Sequence, residues 1–188
     1  MSKVKSSTAI IRALDEKIEN SAQNSATNQK KLIAIRARMN DSRVVKFVDE
    51  AKIDAKVFRN IYASDKASKF LFTVATNEFA NVEQNVVAAI KTIALCVKND
   101  TTTVTKAQLR ASLCRAMLDK LSDAERAVTY TRQNSVDAAT VDTQTSQLVL
   151  FLTSLKLLAQ HSSAKNVYQI CNSDLLKSAT ERFAQDVV

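Results

Sequence analysis

Thr140-Val-Asp-Thr-Gln-Thr-Ser-Gln147 leads into the apolar run Leu148-Val-Leu-Phe-Leu-Thr-Ser-Leu-Lys-Leu-Leu158, and polar Ala159-Gln-His-Ser-Ser-Ala-Lys-Asn166 follows before Val167-Tyr-Gln-Ile170. The first eight residues are short and polar, the composition of a helix start, because Ser, Thr and Asp side chains can accept from free first-turn amides. Thr140 or Asp142 is the expected cap. Leu148, Phe151, Leu152 and Leu155 then recur at helical spacing. Residues 160–166 have the length and polarity of a hairpin tip, and Val167–Ile170 alternates as a strand does. Leu157-Leu158-Ala159 is placed where the helix end feeds the opposite strand. Ser173-Asp174 caps a last helix carrying Leu175, Leu176, Ala179 and Phe183.

Working back along the chain, Ser122-Asp-Ala-Glu125 and Thr105-Lys-Ala-Gln108 are capping boxes. The first predicts a helix to about Arg132. The second predicts a helix that buries Leu109, Leu113, Met117 and Leu118. Asn99–Val104 is a break, with a short extended piece at Thr102–Val104. Val82 to Val97 reads as a central helix with Val82, Val86, Ile90, Ile93 and Val97 along one stripe. Ser64 and Asp54 stand where helix caps belong, and the helix from Ser64 is expected to reach about Phe79. Val44, Val45, Phe47, Val48 and Ala51 mark an amphipathic turn or two.

The chain holds 188 residues without one glycine or proline. Tight turns that need a left-handed backbone must therefore use Asn, Asp or Lys, and helices joined by polar caps are the simplest answer. No glycine-rich phosphate loop can exist, which argues against a nucleotide-hydrolysing or dinucleotide-dependent enzyme. One histidine, His161, offers no base for a nucleophile, and the carboxylates are scattered, so no catalytic residues are assigned. Cys96, Cys114 and Cys171 lack metal-site spacing; Cys96 and Cys114 lie on apolar stripes as core residues do. No metal site or cofactor is expected. The N-terminus shows no apolar leader and no run is long enough to span a membrane, so a cytoplasmic location is expected, in the host cell if the protein is phage-encoded.

The net charge is +8, which suits an anionic partner. It is unevenly spread: 13 Lys/Arg against 7 Asp/Glu in residues 1–60, but 6 against 7 in residues 121–188. Arg36, Arg38, Arg43 and Lys46 form the densest basic cluster, readable as a phosphate-gripping arm or as a solvated face. Around them Ile11, Leu14, Ile18, Ser21, Ser25, Asn28, Leu32, Ile35 and Met39 step 3-4-3-4, the seam of a coiled coil with a polar centre. One reading is a continuous helix that pairs with a second copy. The other is two amphipathic half-helices, with Ser21–Asn28 looped and both ends packed on the body.

The succession of polar-fronted helix, short strand, polar tip, short strand and helix resembles the C-terminal part of the winged helix-turn-helix superfamily. Ala139-Thr140-Val-Asp142-Thr143-Gln144-Thr-Ser146 is also similar to the recognition-helix start of uncharacterised tailed-phage proteins. The resemblance implies a mainly α, multi-helix protein with a winged helix-turn-helix-like domain at 82–188 and a small β-hairpin wing. The resemblance covers only residues 82–188; from the 3-4 spacing, residues 1–43 are expected to form a long helix that could dimerise, and 44–81 a helical connection. The resemblance implies double-stranded DNA as the partner, read by Thr143, Gln144, Thr145, Ser146 and Gln147. Gln pairs with adenine, and Ser or Thr with several base edges. Lys165 on the wing and Arg36, Arg38, Arg43 and Lys46 would meet phosphates. The alternative is an all-helical structural or interaction factor, bound to a host or virion protein, in which the 143–157 helix is scaffold.

Overall fold

The left-handed positions of the backbone show how the chain manages without glycine. In the computed structural model, which describes residues 5–22, 25–78 and 80–187, they fall at Lys52, Asn77, Asn81, Asp100, Lys156 and Asn166. These are the residue types the composition predicts. Three of them end helices in the same way. Ile53 N–H donates to Val48 O and Lys52 N–H to Asp49 O; Thr101 pairs with Cys96 and Asp100 with Val97; Leu157 pairs with Leu152 and Lys156 with Thr153. Each is a Schellman cap, a setting that ordinarily takes glycine. A Cβ in this conformation costs about 1–2 kcal/mol, partly offset by the smaller unfolded-state entropy of a non-glycine residue. Lys52→Gly and Lys156→Gly are therefore each expected to stabilise by about 0.5–1 kcal/mol. A lowered denaturation midpoint in both variants would show that the lysine side chains contribute more than the strain removed.

The chain is mainly helical with one small sheet, and it divides into two compact units, Met1–Val82 and Glu83–Val188. In the first, α1 (Ser6–Ala22) packs on α2 (Ala26–Met39), which also packs on α4 (Ile61–Thr76); α3 (Ser42–Glu50) and a 3-10 turn at Ala55–Phe58 complete it. The expected single long helix is thus two. Ser25 caps α2 by accepting from Asn28 N–H at 3.3 Å. Ser21 turns its hydroxyl back on Ile18 O, and Asn28 is exposed. Gln23 and Asn24, at the middle of the expected seam, lie outside the described residues.

Of the apolar seam residues, Leu14, Leu32, Ile35 and Met39 are buried within the unit itself alongside Ile10, Phe58, Phe70 and Leu71, whereas Ile11 and Ile18 are half-buried. With most of its apolar residues covered from within, the seam lends no support to a dimer through this helix. Residues 1–43 and 44–81 likewise belong to one unit and not to two. Asp54 does cap, accepting from Lys56 N–H at 2.8 Å. Ser64 does not: it is buried inside α4, donating to Asn60 O at 2.7 Å, and Asn60 is the cap. Helix α4 stops at Thr76, and Phe79 is outside the described residues.

In the second unit, α5 (Gln84–Lys98) buries Val86, Ile90 and Ile93 but exposes Val97, because Cys96 takes the inward position at its end. Next come β1 (Thr103–Thr105), α6 (Lys106–Leu113), a 3-10 stretch at Arg115–Lys120 and α7 (Asp123–Ala127). The unit closes with α8 (Val141–Ser154), β2 (Leu158–Gln160), β3 (Val167–Ile170) and α9 (Asp174–Phe183). Both capping boxes form as the sequence reads and Ser173 caps α9, but α6 stops at Leu113, so Met117 is buried from the 3-10 stretch and Leu118 is only half-buried. The three strands are antiparallel in the order β1-β3-β2, with Val104 opposite Tyr168 and Leu158 opposite Ile170.

Helix α7 ends well short of Arg132. Val128-Thr-Tyr-Thr131 is β-branched and aromatic, which favours extended backbone; the Val128 and Thr129 amides still bond back to Glu125 O and Arg126 O, and beyond them the chain turns to tertiary partners. Thr92 Oγ1 both donates to Tyr130 O and accepts from Tyr130 N–H at 3.2 Å; Arg132 N–H reaches Ser112 O, and Val136 N–H reaches Leu113 O.

Candidate functional site

Helix α8 is two-sided. Val141, Thr145, Leu148, Phe151, Leu152 and Leu155 face the core of the second unit. Asp142, Thr143, Ser146, Gln147 and Leu150 line a shallow depression open to solvent. Thr140 stands at the cap position before α8, but its side chain makes no cap bond; Asp137 braces the entry by accepting from Ala139 N–H at 2.7 Å.

This phase separates the residues expected to act together. Thr143, Ser146 and Gln147 are exposed on the outer face. Thr145 is not a contact residue: it is fully buried, and its hydroxyl donates to Val141 O at 2.7 Å. It stands one turn before Leu148 on the buried stripe, so the helix carries it inward. Gln144 is half-buried and its Oε1 accepts from Asn85 Nδ2, while Asn85 Oδ1 accepts from Arg132 Nη1. That chain ties the start of α5 to α8 and occupies the Gln144 carbonyl. Ser146 remains accessible though engaged, donating to Asp142 O at 2.9 Å and accepting from Lys106 Nζ at 3.2 Å.

Lys106 and Arg110, both on α6, are the cations the sequence reading passed over. They stand one turn apart on one side of α6, and α6 packs directly on α8. Arg110 Nη2 donates to Asp142 Oδ2 at 3.0 Å, and Nε lies 2.9 Å from Oδ1. The i, i+4 spacing after the Thr105 capping box was the available signal, since it sets both cations off the Leu109–Leu113 stripe.

The remaining cations are elsewhere. Lys165 is exposed in the β2–β3 tip, where Asn166 supplies the left-handed turn and His161 Nδ1 accepts from Ser163 N–H at 3.3 Å. Arg36, Arg38, Arg43 and Lys46 belong to the first unit. Arg36 pairs with Asp15, and Arg38 with Asp65 and Ser68 Oγ. Arg43 pairs with Asp41 and Glu78, and its hydrogen bond holds the Asp41 carboxyl down at about 2. These three arginines are therefore not an unpaired basic arm; Lys46 is exposed on α3. The pairs are solvent-accessible, and such pairs contribute little to stability.

Among the described residues no group of three or more His, Cys, Asp or Glu is placed to hold a metal ion, and no helix is long and apolar enough to cross a membrane. Cys96 is buried, with its thiol pushed up to about 11 by desolvation; Cys114 is also buried, and Cys171 is partly exposed. A thiol reagent at neutral pH should therefore label Cys171 first and reach Cys96 and Cys114 only on unfolding. Mass spectrometry of the labelled peptides reads this directly, and early labelling of Cys96 would contradict the packing of α5 on α6.

No known family, curated protein or solved structure matches the chain.

Proposed function

We propose that the second unit is a winged-helix-type module that binds duplex DNA, with α8 entering the major groove. The carrying observation is topological. With the 3-10 stretch and α7 set aside, the order α5, β1, α6, α8, β2, β3 with strands arranged β1-β3-β2 resembles that of a winged helix-turn-helix, and this resemblance supports the reading. It leaves the outer face of α8 free to present Thr143, Ser146 and Gln147, side chains suited to base edges. The chain departs from the pattern in two respects. Residues 114–140 intervene between α6 and α8, where helix-turn-helix motifs use a turn of about 3–4 residues. The tip of the hairpin carries one cation, Lys165.

The second unit has 12 Lys/Arg against 10 Asp/Glu, and the first 15 against 9. Phosphate attraction within the DNA-binding unit is thus modest, and Lys106 beside α8 is its best-placed source. If about three phosphates are neutralised, affinity for a random duplex should fall about 40-fold between roughly 50 and 200 mM salt. Fluorescence anisotropy with labelled duplex tests this. Absence of binding at the lower salt concentration would end the reading.

One observation favours a protein partner instead. Leu150 is 43% exposed and lines the same α8 depression as the acidic Asp142. On this second reading the protein is a structural or interaction factor and α8 docks a host or virion protein. A stoichiometric complex that survives nuclease treatment and is lost in Leu150→Glu would favour it.

A further inference from the structure

We propose that Arg110, held from one side by Asp142, reads guanine in the major groove. This rests on the DNA-binding reading above. A guanidinium presents five N–H groups in a planar fork with two paired edges. Asp142 faces the edge formed by Nε and Nη2: Nη2 donates to Oδ2 at 3.0 Å, and Nε, buried and without a hydrogen bond of its own, lies 2.9 Å from Oδ1. The opposite edge, formed by Nη1 and the second Nη2 hydrogen, has no protein partner among the described residues, and the side chain keeps 30% of its surface exposed. That edge matches two parallel acceptors, such as guanine O6 and N7 or two phosphate oxygens.

The Asp142 carboxylate decides between them. It neutralises Arg110 and would sit close behind any bound phosphate, repelling it, whereas a base edge carries no net charge. Position agrees with this choice. Asp142 is in the first turn of α8, so the pair lies at the end of the helix that would meet base edges first. Pre-orientation by Asp142 also removes much of the rotamer freedom that a free arginine loses on binding. Lys106, one turn earlier on α6, faces Ser146 and is the complementary phosphate contact.

The test is selection from a randomised duplex pool with the full chain, followed by anisotropy titrations of the wild type, Arg110→Lys and Asp142→Asn. The expected wild-type site contains a guanine whose replacement by adenine weakens binding at least about 10-fold. Arg110→Lys keeps the charge but not the fork. It should erase that preference and change random-duplex affinity less than about 2-fold. Asp142→Asn should weaken the guanine preference while raising random-duplex affinity and steepening its salt dependence, because the freed guanidinium turns to phosphate. A purely structural Arg110–Asp142 pair would not produce that opposite movement. Binding without a guanine preference, or Arg110→Lys weakening every duplex equally, overturns the assignment and leaves the DNA reading standing. If no duplex binds the wild type, the DNA reading itself falls, and this inference with it. Circular dichroism of both variants shows whether the fold is retained.

Discussion

Phe70→Ala is expected to destabilise the first unit by about 3–5 kcal/mol, the cost of truncating a fully buried aromatic ring. Phe70 is completely inaccessible on α4, the helix on which α2 and α3 both pack. Whole domains are stable by only about 5–15 kcal/mol, so this one change should leave the unit near its limit. The chain has no tryptophan, and Tyr62, in the same unit, is 80% exposed and would report little. Segment-resolved hydrogen exchange is the suitable measurement. Amides of α2 and α4 should lose protection while those of α5 and α8 keep it. A loss below about 1 kcal/mol would mean that Phe70 is not central to the core. Equal loss in both units would mean that they unfold as one.

Gln147→Glu is expected to lower duplex affinity about 100-fold if α8 enters the groove. Gln147 is exposed on the outer face and lines the open depression. The substitution keeps shape and helix propensity while bringing a negative charge to a surface lined by phosphates, and such like-charge juxtaposition costs several kcal/mol. Stability should hardly change, because the side chain is not part of the core. Gln147→Ala separates the components: it removes the amide without adding charge and should lose about 1–3 kcal/mol on a preferred site alone. Wild-type affinity in Gln147→Glu would show that DNA, if bound, is held by another face.

The parts of the fold that the sequence makes legible are those written in neighbouring residues. The Thr105–Gln108 and Ser122–Glu125 boxes, the Ser173 cap and the Val167–Ile170 alternation each carry their reason within a few positions. The use of Lys, Asn and Asp at left-handed turns follows from the want of glycine alone. The N-terminal seam is different, since a 3-4 repeat is compatible both with a helix that meets a second copy and with one that doubles back on itself. Polar residues at Ser21, Ser25 and Asn28 were the local sign of the break, and burial of Leu14 and Ile35 inside one unit decides it.

At the candidate site the outer face was legible in its chemistry but not in its helical phase. Counting back from Leu152 and Leu148 places Thr145 inward, although its polarity disguises this. Gln144–Asn85 and Arg110–Asp142 join residues far apart in the chain, and only the packing of helices brings them together.

The strand order also bears on how the protein is made. Thr103 pairs with Gln169, and the strand that lies between β1 and β2 is the last of the three to be synthesised. Closing so long a loop adds little entropy cost per residue, but it cannot begin until β3 has left the ribosome. The first unit, made of helices complete by Thr76, can assemble while the second is still being translated. A nascent chain stalled at Asn166 would hold α6 and α8 already synthesised, with Val104 and Leu158 still waiting for the strand that covers them both.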